Sequence, residues 1–357
     1  MAAQNILIGK TINRSNLKSL LATGSLPENA GPITVRFEGN QQALLDRSRP
    51  IAANWAKMMD YLETSNRPVY VETDASTGII NKLYVPEAAR VWQIDDDGSA
   101  TVQVSFHTSS ALYHLNRQHP QFQTMLDALR VALEKDANIL VTATSPEFEI
   151  IDVRELPPSY GKEEPPTGPP SLAASPEDPT PAKPISPDRA MELFQLMVDE
   201  NCTPCLSTDS CIPFKYPPDG CWIRAHLMCY LMVDKGETPE KIWSQGKLQA
   251  HSANVPNCLV SWAWHVAPTL LVEQKGAGPI KMVFDPSLCA APVPVEEWIR
   301  LQTDPNATLR PSPWEWYNRF GGSATQQVAN NDMERYRIYL DQMCSEYGPS
   351  PYQCLVA

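Results

Sequence analysis

Between residues 41 and 64 the apolar positions Leu44, Leu45, Ile51, Trp55, Met58, Met59 and Leu62 fall three and four apart, which predicts a helix interrupted at Pro50. The period then drops to two. Strands are predicted at 68–72, 80–85, 90–94, 101–106 and 139–144, with a second helix at 122–134. After a gap the helical spacing returns from Cys221 through Ile223, Leu227, Met228, Leu231 and Met232, and Gly236 ends it. Two further apolar runs, 260–272 and 280–284, read as core strands.

The gap separates two domains. Residues 155–188 hold eleven prolines among Gly, Ser, Ala, Glu and Lys, a composition that favours extended, exposed chain and offers a protease target. The expected organisation is an α+β domain over 1–155, a linker over 156–188 and a second domain over 189–357, which suits a chain of 357 residues. The first domain lacks cysteine, and its histidines, His107, His114 and His119, lack metal-ligand spacing.

Composition narrows the function classes. Charged residues make up 20% and the net charge is -12, which disfavours a nucleic-acid or anionic-membrane surface, and no apolar run is long enough to span a bilayer. All nine cysteines lie in the second half. One set aside as a nucleophile leaves eight, enough for four disulfides, so an oxidising compartment is expected although spacing cannot give the pairing. The first twenty residues are too polar for a signal peptide. Secretion would therefore require a signal absent from this sequence.

Candidate chemistry centres on Phe214 to Met228. Two prolines and Asp219-Gly220 stop an extended chain just before Cys221, placing that thiol in a first helical turn where free N–H groups and the helix dipole favour a thiolate and could hold an oxyanion. Equally, Cys221 could be half a disulfide or a small core residue. His265 sits in the apolar run and is either a satisfied core histidine or a base in a partly desolvated wall. Asp285 ends the next run, as an orienting carboxylate or a plain Asp-Pro turn. His226, five residues past Cys221, faces away from it, and His251 lies in a polar stretch; both read as structural or surface residues.

Three blocks carry a resemblance: Tyr-Pro-x-Asp-Gly-Cys-x-x-Arg-Ala-His-x-Met at 216–228, Ser-Trp-x-x-His-Val-Ala at 261–267 and Asp-Pro-Ser-Leu at 285–288. In order and spacing they resemble the bacterial protein-glutaminases over 201–292. The resemblance implies a transglutaminase-like, papain-related α+β cysteine hydrolase core with Cys221, His265 and Asp285 as its triad. It further implies a Cys202–Cys211 disulfide before the nucleophile and no metal or organic cofactor. Residues 101–144 resemble, more weakly, the pro-region of that family, so the N-terminal domain is expected to inhibit until a processing protease cuts the linker.

The expected reaction is deamidation of accessible glutamines in proteins and peptides, with Trp222, Trp262, Trp264 and Ser261 as candidates to line the substrate slot; the alternative for the tryptophans is core filling. Rival readings share the triad or dispense with it: a transglutaminase, a cysteine protease, or a secreted interaction protein that keeps the fold without a reactive thiol.

Overall fold

The computed structural model describes residues 4–11, 31–157, 183–205, 207 and 210–354. The chain forms two compact units, with divisions at Thr108/Ser109, Leu112/Tyr113, Leu340/Asp341 and Gly348/Pro349 in addition to the long linker. Much of the linker expected at 156–188 lies outside the described residues.

The first unit contains a repeat that periodicity alone did not expose. Leu45-Asp46-Arg47 leads through Pro50 into α1 (Ala52–Thr64) and strands β4 (Val69–Asp74) and β5 (Ile80–Tyr84). Leu115-Asn116-Arg117 leads through Pro120 into α2 (Phe122–Glu134) and strands β9 (Asn138–Ala143) and β10 (Ile150–Glu155). In both copies a polar residue with positive φ follows the helix, Asn66 and Asp136, because Asn and Asp tolerate the left-handed backbone that turns the chain into the next strand. Each helix buries one face, Trp55, Met58, Met59 and Leu62 in the first and Met125, Leu126 and Leu129 in the second. The strands before them are β3 (Gln42–Leu45), paired with β2 (Ile33–Arg36), and β8 (Leu112–Asn116), joined to β7 (Thr101–Phe106). The remaining strands are β1 (Gln4–Gly9), antiparallel to β4, and β6 (Glu87–Asp95). Five of them form a sheet in the order β10-β9-β6-β7-β8.

One expectation fails here. The helix predicted from residue 41 begins only at Ala52, since 42–45 pair with β2 and the apolar spacing of Leu44 and Leu45 belongs to a strand. The strands expected at 68–72, 80–85, 90–94, 101–106 and 139–144 and the helix at 122–134 are present, with ends shifted by up to three residues.

In the second unit a five-stranded antiparallel sheet runs β14-β13-β12-β11-β15, built from β11 (Glu240–His251), β12 (Leu259–Gln274), β13 (Ala277–Val283), β14 (Val293–Pro294) and β15 (Thr308–Pro313). Helix α3 (Pro187–Asp199) starts within the stretch expected as linker, because Ser186 caps it by accepting from the Arg189 N–H at 3.2 Å and Pro187 fits the first turn. Helix α4 (Cys221–Asp234) packs against β12 and buries almost every side chain, so it is a core helix whose sequence is apolar all round. Helices α5 (Val295–Arg300) and α6 (Gln326–Tyr347) follow.

Cys202 and Cys211 are bonded, as the resemblance implied, and Cys258 bonds Cys354 near the chain end. Cys205 and Cys344 are disulfide-bonded as well, while Cys221, Cys229 and Cys289 are free. The two bridges close loops with sequence separations of 9 and 96 residues. By loop entropy, replacing both cysteines of the short bridge with Ala should cost about 2.5 kcal/mol and of the long bridge about 4.5 kcal/mol. Denaturant titration of the two double variants checks this ordering, and equal losses would contradict it.

Candidate functional site

The nucleophile candidate is placed by its own loop. Gly220, immediately before α4, has φ 78°, and a Cβ there would meet the Tyr336 ring at 3.0 Å, so glycine is required both by conformation and by space. Cys221 then occupies the first turn, where backbone N–H groups have no acceptor within the helix and the dipole is positive. Arg224 ties that turn to the chain before it. Its buried guanidinium donates from Nη1 to the carbonyls of Tyr216 at 2.9 Å and Asp219 at 2.6 Å. The Asp219 carboxylate accepts the Tyr336 hydroxyl at 3.1 Å.

Two strands bring the other two candidates. His265 stands on β12 opposite Ser244 of β11, and Asp285 follows the end of β13, where its carbonyl is turned to accept the N–H groups of Leu288 and Cys289. His265 Nε2 lies 2.7 Å from Asp285 Oδ2. The side chains are 1% and 3% exposed, so this is a wholly buried pair. Trp298 donates its indole N–H to the same Oδ2 at 2.9 Å, and the Ser287 backbone N–H reaches Oδ1 at 3.2 Å. The imidazole is stacked by two indoles, Trp262 at 4.6 Å with planes 9° apart and Trp298 at 5.4 Å. Its Nδ1 is buried without a formed hydrogen bond, and the Cys221 thiol is close enough to raise the ring's affinity for a proton.

Burial is the largest single influence on His265 and opposes its charge, but the Asp285 carboxylate and then Cys221 outweigh it and raise the imidazole to about 9. For Asp285, burial likewise opposes the charge, and the imidazolium, the Trp298 N–H and the positive charge of Arg224 together hold the carboxyl below its ordinary range. The ring is therefore cationic at neutral pH. The other free thiols are poor nucleophiles. Burial pushes Cys229 up to about 12 and raises Cys289 too, with the Asp285 charge adding to the latter.

Of the other expected site residues, Trp222 stands on α4, and Ser261, Trp262 and Trp264 stand on β12. Trp262 flanks the imidazole and donates to the Pro217 carbonyl at 3.0 Å, so it orders the base and the loop before Cys221. Trp264 packs between Trp222 and Trp243, with ring centroids 5.7 Å away on either side, and all three are buried. Ser261 is half-buried on β12 beside Gln249. His226 is buried away from Asp285, bonded to Lys241 Nζ at 3.0 Å and the Ala324 carbonyl at 2.9 Å, and burial followed by the Lys241 charge lowers it to about 4. Exposed His251 lies with Cys258 and Cys354 in a metal-ligand-like group, but those sulfurs are committed to each other. Trp298 was missed in the sequence. It lies outside the three motif blocks, and a lone Trp in an amphipathic helix carries no sign that its N–H ends on Asp285.

Residues 190–302, which contain Cys221, Arg224, Trp262, His265, Asp285 and Trp298, match the family profile described as glutaminase, a class of hydrolases acting on amide C–N bonds. The resemblance to protein-glutaminases read from the motifs therefore holds for this segment. The fold is similar to the crystal structure of pro-protein-glutaminase, with a TM-score of 0.55 and 21% identity over 75% of this chain and 97% of that one. A mutant of that pro-protein gives 0.52 and 21% over 71% and 93%. No curated protein sequence matches.

The His265 charge sets a pH dependence. Any activity that needs the imidazolium should decline as pH rises through about 9, and Asp285→Asn should move that limb to lower pH by removing the main influence holding the proton. With Cys221 in place, the folded protein binds the extra proton between the ordinary 6.5 and about 9. Its stability should then be full below 6.5 and fall as pH rises through that window. Urea titrations at stepped pH test the sign, and a stability that rises there would refute the buried imidazolium.

Proposed function

We propose that the chain is a protein-glutamine glutaminase, in which the Cys221 thiolate attacks the side-chain carboxamide carbon of a protein-bound glutamine. The observation that carries this reading is the buried, ion-paired His265–Asp285 couple beside Cys221, inside the segment that matches the glutaminase family. Attack forms a C–S bond and an oxyanion, which the free N–H groups at the start of α4 are positioned to receive. The oxyanion collapses, the C–N bond breaks and the His265 imidazolium gives its proton to the departing ammonia. Neutral His265 then takes a proton from water, whose oxygen attacks the thioester, and the product glutamate leaves as the thiolate returns. Asp285 keeps the proton of Nε2 in place, so that Nδ1 is the nitrogen that exchanges protons with substrate.

In this reading the second unit is a transglutaminase-like, papain-related core and the first is an inhibitory pro-region. Support for the latter is that Ser109–Leu112 belong to the second unit although their chain neighbours on both sides belong to the first, and that the similar solved structures are pro-forms. A tether keeps an inhibitor at high effective concentration. The enzyme is secreted and activated by a protease cutting within 156–188; its six disulfide-bonded cysteines support an oxidising destination.

The cleaved protein, incubated with a glutamine-rich protein, should release ammonia and raise intact mass by about one dalton per event, since an amide nitrogen is replaced by oxygen. Cleaved backbone or crosslinked products would instead favour the protease or transglutaminase. Cys221→Ala and His265→Ala should abolish turnover, and Asp285→Ala should lower it by about 10⁴-fold or less.

Limited proteolysis within 156–188, with separation of the pieces, tests the pro-region. Activity should rise sharply on release of the N-terminal piece and fall when it is added back. An intact chain already as active as the isolated segment 188–357 would rule the inhibition out.

A further inference from the structure

The connection between β11 and β12 gathers a set of soft metal donors away from His265. His251 ends β11 and pairs with Leu259, the first residue of β12, so His251 and Cys258 stand together at the mouth of the hairpin loop 252–258. Cys354 reaches the same place from the far end of the chain. A ring nitrogen of His251 and the two sulfurs all lie within 4.8 Å of one another. The sulfurs are joined as a disulfide, with the imidazole beside them.

Main chain holds these donors together independently of the S–S bond. The Ser252 N–H donates to the Cys258 carbonyl at 3.1 Å, the Cys258 N–H to the Val255 carbonyl at 3.0 Å and the Val255 N–H to the Ser252 carbonyl at 3.3 Å, so the loop closes on itself. Val255 is 1% exposed and packs with Leu248, Ala250, Val260 and Trp262, which fixes the loop to the sheet. The third donor is tethered too, because the Tyr352 N–H donates to the Ala253 carbonyl at 2.7 Å, two residues before Cys354. Cys258 has a φ of 58°, a backbone that Gly or Asn adopts at lower cost, so the position keeps its sulfur against local preference. Cys258 is buried, Cys354 half-buried and His251 exposed, which leaves the group open to water on one side.

We propose that His251, Cys258 and Cys354 form a redox-gated metal site: once the disulfide is reduced, two thiolates and the imidazole hold a divalent cation of the zinc class, which ties the chain end to the hairpin in place of the S–S bond. A dithiol reductant supplies two electrons and two protons. Its own sulfurs join as the Cys258–Cys354 bond breaks and two thiols form. The cation displaces those two protons and neutral His251 gives a ring lone pair, so the occupied site carries no net charge. Tetrahedral zinc, about 2.3 Å from sulfur and about 2.0 Å from nitrogen, needs donors less than about 4 Å apart, which side-chain rotation supplies when the sulfurs separate. Water takes the fourth position on the open side. Thiolate and imidazole select zinc over calcium or magnesium, which take oxygen donors. The inference goes beyond the glutaminase reading and does not rest on it.

The test uses the full chain carrying Cys221→Ala, so that the thiol beside His265 takes no metal. Co2+ is the probe, because thiolate bonds to it give an ultraviolet charge-transfer band and its four-coordinate form absorbs strongly in the visible. After reduction with a phosphine, one equivalent of Co2+ should bind with both signals and Zn2+ should displace it. The oxidised chain should show neither signal. Cys258→Ser, Cys354→Ser and His251→Ala should each weaken binding by about tenfold or more. Failure of a reduced chain that keeps its near-ultraviolet tryptophan dichroism to bind Co2+, or binding that none of the three substitutions weakens, overturns the proposal.

Reduction also opens the other disulfides, so a second variant keeps them closed. Oxidised chain with Cys221→Ala and Cys354→His leaves Cys258 as a free thiol between two imidazoles. It should bind one equivalent of Co2+ without any reductant, and adding His251→Ala should weaken that by about tenfold or more. This variant decides the matter where reduction abolishes the tryptophan signal, and no binding in it, or binding indifferent to His251, overturns the site.

Discussion

A charged imidazole held in a dry interior is the constraint on which the second unit depends. Burial alone would strip His265 of its proton, and the carboxylate at 2.7 Å, joined by Cys221, reverses that. The carboxylate in turn has to be kept ionised away from water, and its oxygens are bonded by the imidazole, an indole N–H and a backbone N–H. This draws in structure from far along the chain. Trp298 on α5 both supplies the indole bond and stacks on the ring, so the segment between β14 and β15 is part of the same electrostatic unit. Trp262 adds the second aromatic face, and stacking of a cation on π-systems favours the protonated ring.

The nucleophile loop answers a different demand, that of pointing a helix N-terminus into the site. A left-handed Gly220 turns the chain, Tyr336 closes the space that a larger residue would need, and Arg224 reaches back to two carbonyls that the turn leaves unpaired. Arg224 also contributes positive charge to Asp285. Its Nη2 remains buried without a hydrogen bond, a cost the fold bears to keep a permanent cation in that place. Mobility in such a site would separate sulfur from imidazole, so the fold invests buried aromatic and polar groups in rigidity there.

Duplication explains the first unit. Two copies of a strand, a Pro-led helix and a strand pair recur about 70 residues apart, each helix burying one stripe. Ser109–Leu112 lie just ahead of the second copy's proline-led turn and group with the other unit.

Much of this was legible in the residues. Periodicity marked α2 and most strands because those elements bury one face and so write their period into the sequence, and the Asp-Gly-Cys turn marked the start of α4 because only a few residue types stop a strand and cap a helix. The Cys221, His265 and Asp285 candidates stood out through three motif blocks, while each residue read alone had an ordinary structural explanation. Strand β3 was mistaken for helix because Leu44 and Leu45 suit either period over so short a run. Local spacing determined the elements and the residue types available for chemistry. Only the tertiary structure decided that Trp262 stacks on His265, that Trp298 holds Asp285, and that Ser110 bonds Asp219 across 109 residues of chain, since burial and hydrogen-bond partners arise from contacts that no local pattern encodes.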